Sequence, residues 1–359
     1  MNRLNLFLLS ALLVVSSHAF AQTGELVCWG NNDFGQCNAP GGLFTQFAAG
    51  GGHSVGLRQD GTIECWGNND FGQCNAPDDT FIQIAVGEAH SIALREDGTI
   101  ACWGYLDYGI CDVPTGIFTK IVSGPYHAMA FRADGTTEGW GLNNYGQSDA
   151  PDGVFSQIAC GGNHTVGLRN DGTIECWGRN DNGQCDAPNG LFQHVSAHTS
   201  YSMALREDGT IACWGLNDYG QCDAPGGVFI QVEGGRYHSI GLREDGTVLC
   251  WGDGFFGQCD TTPETEQFLE IRAGGAHSIG LRGDPTVAFG ACCTGNTVGC
   301  VETLEEDCDT TLGLTWLGAY TSCSDSQCPT TCEGDATGNG IVDYTDLISV
   351  LSNWGPCSG

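Results

Sequence analysis

The chain is 359 residues long and carries a formal charge of −31, with 43 acidic side chains against 12 basic ones. That balance argues against nucleic acid and anionic membranes as partners, since both are held largely through lysine and arginine. Twenty-one cysteines and 56 glycines point to an oxidising compartment and a chain rich in tight turns.

In chain order, Arg3, the apolar run from Leu6 to Val15 and the A-x-A pattern Ala19-Phe20-Ala21 read as a secretory signal peptide over residues 1–21. The apolar run is too short for a membrane span, and no later stretch is long enough. A secreted protein, extracellular or at the cell surface, is therefore expected.

From residue 25 the sequence repeats. Trp-Gly pairs begin at 29, 66, 103, 140, 177, 214 and 251, always 37 residues apart. "HSVGLR" (53–58) has counterparts starting at 90, 127, 164, 201, 238 and 277, with Tyr201 once in place of His. A fixed period of this length is the mark of a repeat architecture. In one unit, Phe44 to Ala49 and His53 to Arg58 read as strands. Asp60-Gly61 is a hairpin signal, and Thr62 to Trp66 is the returning strand. Gly72 to Asn75 reads as a short fourth strand. Four strands per unit suggest a propeller blade.

The array opens with a Trp-Gly strand that has no preceding partner and ends with "HSIGLR" (277–282), which has no following one. Pairing these two ends would bury both orphan edges. The predicted fold is all-β: a seven-bladed propeller over residues 22–286, its last blade built from both ends of the array.

Cysteines recur as pairs within a unit: Cys28/Cys37, Cys65/Cys74, Cys102/Cys111, Cys176/Cys185, Cys213/Cys222 and Cys250/Cys259. Where they are missing, at Gly139 and Ser148, both are missing. The unit with Tyr201 in place of His keeps Cys213 and Cys222. Zinc ligands would tend to disappear together, so disulfides are predicted rather than a metal site. Each bridge is expected to join the third strand of a blade to the fourth. Cys160 matches no cysteine in other copies and reads as a small buried thiol.

The recurrent His53, His90, His127, His164, His238 and His277, the arginines at 58, 95, 132, 169, 206, 243 and 282, and the tryptophans recur because each copy needs them. Structural roles are expected for all three sets: loop hydrogen bonds, turn or inter-blade ties, and packing. Binding should reside where copies differ, in the loops after Trp-Gly and before His. There Tyr105, Tyr126, Arg236, Tyr237 and Phe255 are candidate partner-binding residues, having the amphipathic chemistry of interface anchors.

The pattern "GGxHSxxLRxDGTxxCWGxNxxGQ" closely resembles the regulator-of-chromosome-condensation repeat family over about residues 25–284. The resemblance implies a propeller, in a secreted bacterial form. The family's nuclear founder promotes nucleotide exchange on a small GTPase and contacts chromatin, roles unsuited to an acidic exported chain. A propeller-type β-lactamase inhibitor protein, which binds its target with loops on one face, is the nearer analogy.

Beyond the array, Cys292, Cys293, Cys300, Cys308, Cys323 and Cys328 mark a disulfide-stapled module over 287–331, their pairing left open. In residues 332–359, Asp335, Thr337, Asn339, Ile341, Asp343 and Asp346 occupy positions 1, 3, 5, 7, 9 and 12 of a calcium loop, with Gly340 at the sharp turn. Leu347, Leu351 and Trp354 then fall on one helical face. This segment resembles one half of a dockerin, departing from it at Thr337 and in having a single loop. Cys332 and Cys357 are expected to staple it.

The expected protein is a monomeric, non-enzymatic binding or scaffold molecule. Its loops would meet an extracellular protein or glycan, and its calcium-ordered tail would meet a docking partner or serve sorting. An inhibitor of an extracellular enzyme is one alternative and a glycan-processing enzyme another, although no acid/base carboxylate pair is identifiable.

Overall fold

A computed structural model of the chain describes residues 24–260 and 266–283 and three further strands, 289–294, 300–304 and 314–319. The leader and the calcium-loop segment lie outside the described residues. The chain divides into two compact units between Gly283 and Asp284.

The first unit is a series of three-stranded antiparallel sheets. Strand β1 (Gly24–Gly30) stands apart from the run that follows. The first sheet is β2 (Gln46–Ala49), β3 (His53–Leu57) and β4 (Ile63–Gly67). The second is β5 (Gln83–Val86), β6 (His90–Leu94) and β7 (Ile100–Gly104). The third holds β8 (Phe118–Ser123), β9 (His127–Arg132) and β10 (Thr137–Gly141), and the fourth β11 (Phe155–Cys160), β12 (His164–Arg169) and β13 (Ile174–Gly178). The fifth holds β14 (Phe192–His198), β15 (Tyr201–Arg206) and β16 (Ile211–Gly215), and the sixth β17 (Gln231–Gly234), β18 (His238–Leu242) and β19 (Val248–Gly252). The seventh joins β20 (Glu270–Ala273) and β21 (His277–Gly283) to β1, with Leu26 opposite Leu281 and Trp29 opposite Ser278.

Each hairpin between second and third strands turns on Asp-Gly. Gly61 has φ +82°, a conformation that costs glycine little. Asp60 Oδ1 accepts from the Thr62 amide (3.0 Å) and hydroxyl (2.7 Å). The same pair of bonds recurs in five further turns. The preceding arginine stays within its own sheet rather than tying neighbours together. Arg58 lies 4.4 Å above the Phe44 ring and donates to Glu64 at 2.7 Å.

The expected fourth strand does not form. Residues 72–75 are turns: Gly72 N donates to Asn69 O (3.1 Å) and Asn75 N to Gly72 O (2.9 Å). The Asn69 amide fastens the turn to the Asn75 side chain (2.9 Å) and the Cys74 amide (2.9 Å). The Gln73 carbonyl, which a strand would offer to a ladder, accepts instead from Trp103 Nε1 (2.8 Å) and Ser91 Oγ (2.9 Å) of the next sheet.

The six predicted disulfides are present: Cys28–Cys37, Cys65–Cys74, Cys102–Cys111, Cys176–Cys185, Cys213–Cys222 and Cys250–Cys259. What they join differs from the expectation. The first cysteine of each pair lies in the third strand of a sheet, but Cys37, Cys74, Cys111, Cys185, Cys222 and Cys259 all lie in turns, not in fourth strands. The cause is the same side-chain bonding that closes the turn. Asn32 Oδ1 accepts from the Cys37 amide (2.9 Å), and Asn180 Oδ1 from the Cys185 amide (2.8 Å). These amides are thereby withdrawn from any ladder. Cys111 follows a 3-10 turn over Asp107–Gly109, and Cys259 follows the turn around Gly257.

The core is divided among the joints between sheets. Val55 and Leu57 of the first sheet pack with Phe81, Ile84 and Trp103 of the second. Equivalent clusters join every successive pair, and Phe47 and Trp66 of the first sheet pack with Ile279 and Leu281 of the seventh. Burying one such side chain is worth about 1.5–3 kcal/mol. The second unit shows one sheet of β22 (Phe289–Thr294), β23 (Cys300–Leu304) and β24 (Leu314–Ala319), with β22 central.

Candidate functional site: an aromatic face above a ring of buried histidines

In every sheet the second strand starts, and the third ends, at the same edge: His53 pairs with Gly67. The loop before His and the loop after Trp-Gly therefore share one face. Directly beneath it the sheets are bolted to one another. His53 Nε2 lies 3.1 Å from Ser91 Oγ in the next sheet. His127 meets Thr165 (2.7 Å), His164 meets Ser202 (2.8 Å) and His238 meets Ser278 (3.0 Å). His277 of the seventh sheet reaches Ser54 of the first at 3.0 Å.

The serines settle the tautomer. Ser54 has a single hydroxyl proton, and it goes to the Gln36 carbonyl (2.9 Å). Ser54 must therefore accept from His277, whose Nε2 carries hydrogen while Nδ1 is bare. Burial holds these imidazoles neutral: desolvation lowers the pKa of His53, His164 and His238 to about 4 and of His90, His127 and His277 to about 3. Each Trp indole adds a second tie, donating to a carbonyl of the preceding sheet's turn, as Trp66 does to Gln36 O at 2.8 Å.

Two units depart from the pattern. Tyr201 replaces His and reaches further, its hydroxyl 2.6 Å from His238 O and 3.0 Å from Ser239 Oγ. In the third sheet the serine position is Ala128, and His90 bonds instead to Ser123 at 2.8 Å.

Above this ring stand exposed aromatics. Phe34, Phe71, Tyr108, Tyr145, Tyr219 and Phe256 occupy equivalent positions of six turns and are all exposed. The seventh turn has Asn182. Each of these residues gives its backbone N–H to a glutamine of its own turn where the turn has one, as Phe71 N does to Gln73 Oε1 (2.9 Å). Asn182 makes the same bond at 2.9 Å. The turn thus requires the backbone and not the ring. Tyr108 has φ +64°, the only non-glycine among the described residues in the left-handed region.

The five residues singled out from the sequence all lie on this face. Tyr105 and Tyr126 join a chain of rings: Phe71–Tyr105 (centroids 5.1 Å), Tyr105–Tyr108 (6.2 Å) and Tyr108–Tyr126 (5.9 Å). Tyr237 packs on Tyr219 (4.7 Å), and Phe255, 83% exposed, packs on Phe256 (4.9 Å). Arg236 is not free to meet a partner, because it pairs with Glu88 of the second sheet, 148 residues away in sequence. Glu88 also lines a central channel of about 850 Å³ walled by the innermost strand of every sheet. Within the channel, Glu233 and Glu270 both bond to Arg272. Desolvation raises the pKa of Glu233.

The opposite face carries exposed Leu43, Ile117, Val154, Leu191 and Val228. Four of them sit against turn glycines: Ile117 at Gly98, Val154 at Gly135, Leu191 at Gly172 and Val228 at Gly209. The arginines that stack on phenylalanine rings, Arg58, Arg95, Arg132, Arg169, Arg206 and Arg243, lie at this end.

Cys160 is free and buried, and desolvation pushes its thiol up to about 12, so it is no nucleophile at neutral pH. Among the described residues no group of three or more His, Cys, Asp or Glu side chains could hold a metal ion, and no helix is long and apolar enough to cross a membrane. The predicted calcium ligands Asp335, Thr337, Asn339, Ile341, Asp343 and Asp346, the Cys332/Cys357 pair, and Cys308, Cys323 and Cys328 lie outside the described residues.

The sequence profile of the regulator of chromosome condensation (RCC1) repeat matches residues 44–73, 81–110, 155–184, 193–221 and 229–258. No curated protein sequence matches the chain. Among solved structures, Prp20p of Saccharomyces cerevisiae, described with binding properties toward Gsp1p and histones, is similar with a TM-score of 0.65 at 18% identity, over 74% of this chain and 93% of that one. Human WBSCR16 is similar with a TM-score of 0.62 at 15% identity, over 73% and 99%. The ectodomain of the Physcomitrella patens receptor kinase CR4 is similar with a TM-score of 0.55 at 25% identity, over 63% and 66%. The chain thus carries RCC1 repeats and shares the fold of RCC1-like β-propellers.

Proposed function

We propose that the protein is a secreted, non-enzymatic binding scaffold. It is a closed seven-bladed propeller whose aromatic face docks another protein. One observation carries this reading: six aromatic rings stand exposed, five of them on turns that close through the same backbone–glutamine bond as the turn around Asn182. Rings that the fold does not need, left in water, mark an interaction surface. The ring of histidine bolts beneath would hold that surface rigid, which lowers the entropic cost of docking. Export is supported by the leader-like N-terminus, by six disulfides and by the use of the same fold in a receptor ectodomain.

The test exchanges rings for the residue nature already uses in this position. Phe71→Asn with Tyr108→Asn and Tyr219→Asn should leave the melting temperature near wild type and abolish capture of a partner from the source's extracellular fraction. Capture that survives this change, or is lost when Ile117 and Val228 of the opposite face are made Ser, would refute the assignment of the face. A glycan captured through the same rings would change the partner class.

The C-terminal segment 332–359 would bind calcium through Asp335, Thr337, Asn339, Ile341, Asp343 and Asp346 and serve docking or sorting. Calorimetric titration of the full chain with calcium should show one site, abolished by Asp335→Ala with Asp343→Ala. Heat unchanged by those substitutions would remove the calcium role.

A further inference from the structure

We infer that the aromatic face recognises a cationic protein segment, one that presents arginine or lysine side chains. The inference rests on the reading of this face as the docking surface and specifies the partner's chemistry. Four turns place a carboxylate immediately before an exposed ring: Asp33–Phe34, Asp70–Phe71, Asp107–Tyr108 and Asp218–Tyr219, all eight exposed. Intramolecular bonds use one carboxylate oxygen in each of the first three pairs, through Asn31 (2.9 Å), Asn68 (3.0 Å) and Tyr105 (2.6 Å). A carboxylate retains room for further donors. A ring face beside a carboxylate suits a cation, which gains from the ring quadrupole and from the opposite charge together.

The protein already satisfies one such site with its own side chain. Arg179 lies 5.2 Å above the Tyr145 ring and donates to Asp181 at 2.8 Å. It does so beside the turn that carries Asn182 in place of an aromatic residue. The four open pairs offer the same chemistry, and among the described residues no guanidinium fills them.

Charge is also distributed along the propeller axis. Arginines 58, 95, 132, 169, 206, 243 and 282 end the second strands at the opposite face. The aromatic face has Arg179 and Arg236, and both are paired, with Asp181 and Glu88. Its remaining ionised groups are carboxylates, a field of one sign that attracts and orients a basic partner.

The probe is a labelled (Arg-Gly-Ser)4 peptide, titrated against the full chain at constant ionic strength. Its counterpart (Glu-Gly-Ser)4 and cellohexaose serve as comparisons. The arginine peptide should bind, and Phe71→Asn with Tyr108→Asn and Tyr219→Asn, which leaves charge unchanged, should weaken it on the order of tenfold. Asp97→Asn with Asp208→Asn and Asp245→Asn, which removes three charges at the opposite face, should alter it less than about twofold. Asparagine can hold both kinds of turn, so folding is preserved. If the aromatic variant binds as wild type does, or the opposite-face variant loses as much, the peptide is reading bulk negative charge and the inference fails. If cellohexaose or the glutamate peptide binds through the rings while the arginine peptide does not, the face remains a docking surface and only its cationic preference is wrong. If no probe depends on the rings, the cationic preference is refuted, and the docking reading is judged by partner capture.

Discussion

His277 Nε2 meets the Ser54 hydroxyl at 3.0 Å across 223 residues of sequence, in the same way that His53 meets Ser91 across 38. The joint between the two ends of the array therefore has the same polar bolt as a joint between consecutive repeats. Ser54→Ala leaves the buried His277 N–H without an acceptor, at a cost of about 1–3 kcal/mol. Ser91→Ala does the same to His53. Urea unfolding should show similar losses for both. A Ser54→Ala variant as stable as wild type, beside a destabilised Ser91→Ala, would mean that the seam does not close in solution.

The same histidines predict acid sensitivity. Their folded pKa values lie at about 3 to 4, against about 6.5 in an unfolded chain. Between those limits the unfolded chain binds protons that the folded one refuses. Stability is then complete above about pH 7 and falls as pH drops through 6.5 toward 4, on the order of 3 kcal/mol for each imidazole at the limit. The turn aspartates, such as Asp60, have lowered pKa values through their bonds to threonine. Their contribution is present above about pH 4 and is lost only below it. Melting temperatures taken from pH 8 to pH 4 should be level at first and then decline steadily from about 6.5. A flat profile down to pH 4.5 would contradict the buried neutral ring.

Much of this was legible in the sequence because the repeat acts as its own control. The paired loss at Gly139 and Ser148 identified the disulfides, and the copy-to-copy variation pointed to Tyr105, Tyr126, Tyr237 and Phe255. What the sequence hid was pairing that ignores the period. Arg236 and Glu88 belong to the sixth and second sheets, and nothing in either repeat announces the other. Gly72 to Asn75 resembles a strand, and only the structure shows its Gln73 carbonyl spent on Trp103 and Ser91. Cys37, Cys111, Cys185 and Cys259 pair as their spacing predicts, but they lie in turns where the spacing suggests strands. The sequence does carry one signal of such a compensation, because Ser123 appears in the unit where Ala128 has lost the hydroxyl.

A second coupled exchange involves His198 and Tyr201. In the first unit, a Cβ added to Gly50 would lie 2.5 Å from His53 Cε1 and 2.6 Å from its Nδ1. Glycine is thus required where the histidine ring folds back. The unit with Tyr201 is the one with His198 at that glycine position, since the tyrosine ring extends to the next sheet and leaves the space free. Tyr201→His alone should destabilise by about 2–4 kcal/mol, through lost packing and a crowded imidazole. Adding His198→Gly should restore at least about 1 kcal/mol. Strictly additive effects in thermal or urea unfolding would show that the two positions are not coupled.

The third sheet allows the disulfide to be tested by addition instead of removal. Ser148 Oγ lies 3.3 Å from Trp140 O and 3.1 Å from Leu142 O, and a Cβ at Gly139 would lie 2.3 Å from the Ser148 carbonyl oxygen and 2.6 Å from Met129 Sδ. Methionine is compatible with a cystine, because Met203 shares a sheet with Cys213–Cys222. In the third sheet, however, both the Ser148 carbonyl and the Met129 side chain occupy space that a cysteine at 139 would need. Gly139→Cys with Ser148→Cys should form a disulfide under oxidising conditions, yet add less than the roughly 2–3 kcal/mol expected of so short a loop. Met129→Ile, which copies Ile92 and Ile240 of other sheets, should recover part of the remainder, the rest being the shift required of the Ser148 carbonyl. Urea midpoints with and without reductant separate the two contributions. If the double cysteine variant reaches the full increment with Met129 in place, neither Met129 nor the Ser148 carbonyl is an obstacle, and the loss of this pair has no steric basis in the sheet.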